Sequence, residues 1–166
     1  MKKISQTEIQ NLMALHQRGL DDDVISKASS LVKEHPEEII LFNLLGVSYE
    51  RKGSLKNAAE AYKNALNINP NIPEMNFNLG AILFSENKVE EAIQFYEKSI
   101  QLNNNFPEAY FNLGIALQSM GRFDEAIQCY QKAIQIQPGF FEAITNMGTI
   151  KQLQGHLDEA AEFFKK

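Results

Sequence analysis

An all-α array of stacked helix pairs is the fold class this sequence predicts, on three observations. Several residues recur every 34 positions: Gly46, Gly80, Gly114 and Gly148; Ala58, Ala92, Ala126 and Ala160; Leu45, Leu79, Leu113 and Met147; Tyr62, Tyr96, Tyr130 and Phe164. Within each period, apolar residues fall at helical spacing in two stretches separated by a turn residue. No segment alternates apolar and polar residues with strand composition.

The elements follow in order. A first unit spans about 5–38, where Ser5 and Glu8 form a capping-box pattern that opens a helix. Gly19 ends it, and Asp21–Asp23 begin the next helix, where acidic side chains complement the helix dipole. Full units follow at 39–72, 73–106 and 107–140, and a partial one at 141–166. In the third unit Pro73 suits a first helical position. Phe77, Leu79, Ile82 and Leu83 make the apolar side of that helix. Asn87 stands where the other units have Gly19, Gly53, Gly121 and Gly155, residues suited to a left-handed cap. Val89, Ala92, Ile93, Tyr96, Ile100 and Leu102 then form the stripe of a second helix. Glu90–Glu91, Asp124–Glu125 and Asp158–Glu159 recur at the start of second helices and suit the dipole better than acid–base chemistry. Pro36, Pro70 and Pro138 hold the period, with Asn104 where the third proline would fall.

The small residues have a mechanical reading. Gly80 and Ala92 are expected to let the two helix backbones of a unit approach closely, so bulk there would overpack them by about 1–3 kcal/mol. Tyr96 and its equivalents are expected to fill the gap toward the next unit. No single unit buries its apolar face alone, so the units must stack.

Composition excludes several functions. The 166 residues carry a formal charge of −5, which disfavours wrapping nucleic acid or an anionic membrane surface. Cys129 is the single cysteine, so neither a disulfide framework nor a multi-thiolate zinc site is available. It is expected to be a packed, inert thiol. His16, His35 and His156 lack metal-ligand spacing and read as turn or surface residues. No signal peptide and no apolar run of transmembrane length is present, so the default location is cytoplasmic. No phosphate-cradling loop, nucleophile elbow or metal cluster is visible. The sequence therefore predicts no enzyme activity for this chain and no cofactor.

The recurring large–x–x–leucine–glycine, alanine, aromatic and proline positions resemble the tetratricopeptide repeat, over essentially the whole chain as one domain, 1–166. The resemblance implies a right-handed α-solenoid whose first helices line a concave, peptide-binding groove. Departures are Leu12, Val24 and Ala28 in the first unit, which suit a terminal cap, and Asn76, Ser99 and Lys151, where looser packing is expected. Projected onto the groove, the register places Asn78, Asn112 and Asn146 in one column, with Leu44 in the preceding unit. Asn43, Phe77, Phe111 and Thr145 come just before. Val47, Ala81, Ile115 and Thr149 lie one turn on, then Glu50, Phe84, Gln118 and Gln152; Ile40, Glu74, Glu108 and Glu142 lie one turn earlier. The column is similar to the asparagine ladder in the tetratricopeptide arm of O-linked N-acetylglucosamine transferases and could grip a peptide backbone. The alternative is that these amides satisfy local backbone groups. For the phenylalanines the alternative is packing between first helices.

The implied function is a non-catalytic interaction module or scaffold that binds a peptide segment of another protein. The basic clamp of chaperone-tail binders is missing at Asn43, Phe77, Phe111, Thr145, Glu74 and Glu108. The 34-residue step and the negative charge disfavour the RNA-reading pentatricopeptide arrays. Lys166 falls inside a second helix, which gives the expectation of a longer polypeptide. The chain would then be the substrate-docking arm of a glycosyl-, sulfo- or methyltransferase. A further alternative is self-assembly through an open C-terminal face of Ile150, Leu157, Ala161 and Phe164.

Overall fold

The computed structural model describes residues 4–163; Phe164 and Lys166 lie outside the described residues. Among these, ten helices follow one another: α1 (Gln6–Gln17), α2 (Asp21–Glu34), α3 (Ile39–Arg51), α4 (Leu55–Ile68), α5 (Pro73–Ser85), α6 (Val89–Leu102), α7 (Pro107–Ser119), α8 (Phe123–Ile136), α9 (Phe141–Leu153) and α10 (Leu157–Phe163). They form two compact units, Met1–Ile82 and Leu83–Lys166, which divide within α5.

Local chemistry accounts for the helix boundaries. The Ser5 hydroxyl accepts from the Glu8 amide at 3.2 Å, and the Glu8 carboxylate accepts from the Ser5 amide at 3.0 Å. Each helix pair turns on one residue with positive φ: Gly19, Gly53, Gly121 and Gly155 at +70° to +82°, and Asn87 at +61°. Asparagine tolerates this left-handed geometry better than other side chains do. Between pairs, the amides of Asn71 and Asn105 donate to the Asn69 and Asn103 side chains, each at 3.0 Å, an Asx turn that starts the approach to the next helix.

In the first unit α1 packs on α2 and α3, and α3 on α4. Leu12, Val24, Ala28, Leu41, Leu44, Leu45 and Ala61 form its core. In the second unit α7 packs on α6 and α8, and α9 on α8 and α10. Ala109, Leu113, Ala116, Ala126, Tyr130, Ala133, Ala143, Met147 and Ile150 are buried there.

Four expectations are corrected. The small residue at the repeat glycine faces a tyrosine ring rather than the alanine of the partner helix. A Cβ on Gly114 would stand 2.5 Å from Tyr130 Cε1, and one on Gly46 would be equally close to Tyr62. The glycine is a notch that admits the ring of its own repeat, while Ala58, Ala92 and Ala126 are wholly buried beside it in sequence register. Asn76 is not a loose site. It is 3% exposed, and its Nδ2 donates to the carbonyls of Pro70 at 3.1 Å and Ile72 at 2.8 Å, tying the inter-repeat loop to α5. Ile150 does not belong to an open face: it is fully buried, at the register position of Ser48, Ile82 and Ala116, all of them interior. Leu157 and Ala161 are exposed. His35 is buried at the C-terminal end of α2 rather than at the surface.

Ser99 does bear out a poorer fit. Its hydroxyl and that of Ser48 are buried without a hydrogen-bond partner, and the register equivalents of Ser99 are Ala65 and Ala133. Lys151 is paired with Glu159 at 2.8 Å. The acidic starts of second helices also make ion pairs: Asp21 with Arg51, Asp22 with Lys52, and Glu125 with Arg122. As exposed pairs these contribute little to stability.

Candidate functional site: the first-helix asparagines and their tyrosines

The tyrosine admitted by the glycine notch carries its hydroxyl through to polar groups on the first helices. In the second unit the Tyr130 hydroxyl donates to Gln118 Oε1 at 2.7 Å and accepts from Asn146 Nδ2 at 3.3 Å. Gln118 lies on the first helix of the same repeat, and Asn146 on the first helix of the next. In the first unit the Tyr62 hydroxyl donates to Glu50 Oε2 at 2.5 Å, and the Asn78 amide stands near enough to the same hydroxyl to favour its ionised form. Asn112 stands likewise at the Tyr96 hydroxyl. The asparagine column is thus a set of joints, each linking one repeat to the second helix of the repeat before. Neither sequence reading included this partner, a tyrosine hydroxyl of the preceding repeat.

The tyrosine acidities follow from this setting. Burial, the largest cause, pushes Tyr96 and Tyr130 up to about 12, and the Asn112 and Asn146 amides pull the other way by favouring the ionised oxygen. Tyr62 is raised further, by burial first and then by the Glu50 carboxylate that takes its proton in a hydrogen bond. All three hydroxyls are neutral at physiological pH.

Each asparagine retains bonding capacity. A carboxamide has two N–H donors and a carbonyl oxygen, and the tyrosine uses one donor. Asn78, Asn112 and Asn146 are half-buried, so they are accessible as well as anchored.

The other expected groove residues fall into four groups. Asn43, Val47, Phe77, Phe84, Ala81, Ile115 and Gln118 are half-buried. Phe111 joins a cluster: its ring centroid lies 4.8 Å from Phe140 and 5.8 Å from Tyr130, so part of its surface is spent on packing. Thr145 and Thr149 turn their hydroxyls to their own helix, donating to the carbonyls of Phe141 and Thr145 at 2.9 and 3.0 Å. Glu74, Glu108 and Glu142 are exposed in the first turns of α5, α7 and α9, where they complement the helix dipole. The sequence reading missed the role of the tyrosine hydroxyls. Its signal was the fixed interval of 16 residues from tyrosine to asparagine and 12 from Gln118 or Glu50 to tyrosine.

A shallow cleft of about 460 Å³ lies elsewhere in the second unit, lined by Tyr110, Gln128, Cys129, Gln131, Lys132 and Gln135. Burial pushes the Cys129 thiol up to about 11, away from the thiolate form that a nucleophile requires. Among the described residues no group of His, Cys, Asp or Glu could hold a metal ion, and no helix is long and apolar enough to cross a membrane.

Helix pairs at a fixed period, joined by side chains at matching positions, define a helical repeat protein. The chain belongs to the tetratricopeptide repeat family. The family's sequence models, described as "Tetratricopeptide repeat" and "TPR repeat", match residues 107–140 and residues 46–85 and 80–121. Among solved structures, MamA is 28% identical, with a TM-score of 0.89 over 99% of this chain and 93% of that one. MamA from Desulfovibrio magneticus RS-1 is 17% identical, with a TM-score of 0.89 over 98% and 94%. YrrB, a TPR protein with an unusual peptide-binding site, is 20% identical, with a TM-score of 0.86 over 98% and 84%. These likenesses establish the all-α tetratricopeptide solenoid fold. No curated protein gives a significant match.

Proposed function

We propose that the chain is a non-catalytic interaction module that holds an extended peptide segment of another protein against its first helices. The observation that carries this reading is the asparagine at one register position in each unit, Asn78 in the first and Asn112 and Asn146 in the second. Asn146 is anchored by Tyr130, Asn78 and Asn112 stand beside Tyr62 and Tyr96, and all three are half-exposed, so each can present its remaining amide groups in a restricted orientation. Preorganised donors and acceptors lose little entropy on binding, and a peptide backbone supplies matching groups regardless of its sequence. Phe77 and Phe84, both half-buried, add apolar contact. The likeness to YrrB, itself peptide-binding, is consistent with this use of the fold.

The test is binding of peptides selected from a random library on the full chain, repeated with two triple variants. Asn78/Asn112/Asn146→Ala is expected to weaken binding about tenfold or more, the scale of two or three lost hydrogen bonds. Tyr62/Tyr96/Tyr130→Phe removes the joints but leaves the amides, and is expected to weaken binding less, by the entropy of re-ordering the freed amides. Equal losses in both variants would mean that the asparagines act only as joints.

A further inference from the structure

The Tyr62 and Tyr130 joints differ in the acceptor of the hydroxyl proton. In the second unit the hydroxyl proton goes to the neutral amide of Gln118, and in the first it goes to the carboxylate of Glu50. Glu50 is half-buried, and among the described residues no cation lies within ion-pair distance of it. Its neighbour Arg51 is committed elsewhere, to Asp21 at 3.4 Å and to the His16 carbonyl at 3.1 Å.

The Tyr62 hydroxyl is committed to the carboxylate as donor, and the Asn78 amide near the same oxygen favours that arrangement. One carboxylate oxygen is therefore held by Tyr62, and the lone pairs of the other remain for a ligand. A partly desolvated anion without a counter-ion attracts a cationic group strongly, through a charge-assisted hydrogen bond.

We propose that Glu50 makes the first unit select a lysine or arginine side chain at one position of the bound peptide, and that Gln118 gives the second unit no such preference. This inference rests on the peptide-binding reading above and adds the chemistry of the ligand. The exposed acids Glu74, Glu108 and Glu142 do not carry it, since their places in first turns are explained by the helix dipole.

The experiment exchanges the two acceptors. A random-sequence peptide library is panned on the immobilised full chain, on Glu50→Gln and on Gln118→Glu, and the bound sequences are compared with the input. Both substitutions keep an acceptor for the tyrosine, as the other unit shows, and unchanged thermal melts confirm that the fold is intact. The wild type is expected to enrich one basic position. Glu50→Gln is expected to lose that enrichment and to bind the selected peptides about fivefold more weakly, with the difference shrinking at high salt. Gln118→Glu is expected to add a second basic position. Equal basic content in peptides bound by wild type and Glu50→Gln, or selection without basic bias, would overturn the role of Glu50 while leaving the peptide groove intact. Failure of the wild type to select any peptide would overturn both.

Discussion

The contact between the first and second repeats and that between the fourth and fifth use opposite chemistry at the same register positions. In the later joint Gly114 makes a notch, Tyr130 fills it, and Asn146 donates to the tyrosine hydroxyl. In the earlier one the residues are Leu12, Ala28 and Leu44, all buried. Bulk has moved from the second helix to the first, and with the hydroxyl gone the amide has gone too. His16, at the register position of Gln118, turns instead to Arg51, whose Nη2 approaches its Nε2 at 3.4 Å. The three positions therefore form one unit of design, in which a tyrosine needs its glycine and its asparagine together. An apolar joint suffices to stack a repeat, so the polar version does something stacking alone does not require, namely fixing an amide on the next first helix.

The strongest way to break the contrast is to put bulk into the notch. Gly114→Leu is expected to cost about 3 kcal/mol, since the ring has nowhere to go. Gly114→Leu combined with Tyr130→Ala and Asn146→Leu, copying the first repeat, is expected to recover most of that loss in urea unfolding. Full additivity of the single losses would show that the positions are independent.

Ser99→Ala tests a smaller mismatch. Removing a buried hydroxyl without a partner, at a position where the other repeats hold Ala65 and Ala133, is expected to stabilise the protein by about 1 kcal/mol. An unchanged unfolding midpoint would contradict the burial of an unsatisfied group.

The smallest effect concerns pH and only the first joint. Burial, then the Arg51 guanidinium, lowers the pKa of His16 below its ordinary value, against a smaller opposing pull from Asp21. The unfolded chain therefore binds the proton more readily than the folded one, and stability must fall as pH drops through the ordinary histidine range toward the lower folded value. His16→Gln is expected to flatten that slope, measured by urea titration between pH 8 and pH 5, ranges set by the ordinary histidine pKa of about 6.5. An unaltered slope in the variant would assign the dependence to another group.

Much of this was legible in the sequence because it is written locally. The 34-residue step, the positive-φ turns at Gly19, Gly53, Gly121, Gly155 and Asn87, and the Ser5–Glu8 capping box each have a short signature. What was not legible involves partners outside the local window. Reading Gly80 against Ala92 considered only backbone approach, whereas at Gly46 and Gly114 the neighbour is a ring. The asparagine column was read down its own face, and its partner lies 16 residues back on a second helix. Ile150 looked like surface because no later repeat was counted over it, yet it points into the repeat interior like Ser48, Ile82 and Ala116. Leu12 and Ala28 depart from the repeat pattern and Leu44 replaces the asparagine, and this joint change is the sequence signal for the tyrosine–asparagine joint.

A double-mutant cycle on Tyr130 and Asn146 tests the tyrosine–asparagine joint most directly. Tyr130→Phe, Asn146→Ala and the double variant would be compared in urea unfolding of the full chain. The cycle isolates this pair from the separate bond between Tyr130 and Gln118. The joint predicts a coupling of about 0.5–1.5 kcal/mol, the net worth of a partly buried hydrogen bond. Two single losses that simply add, with no coupling, would contradict it and leave the asparagine column without its anchor.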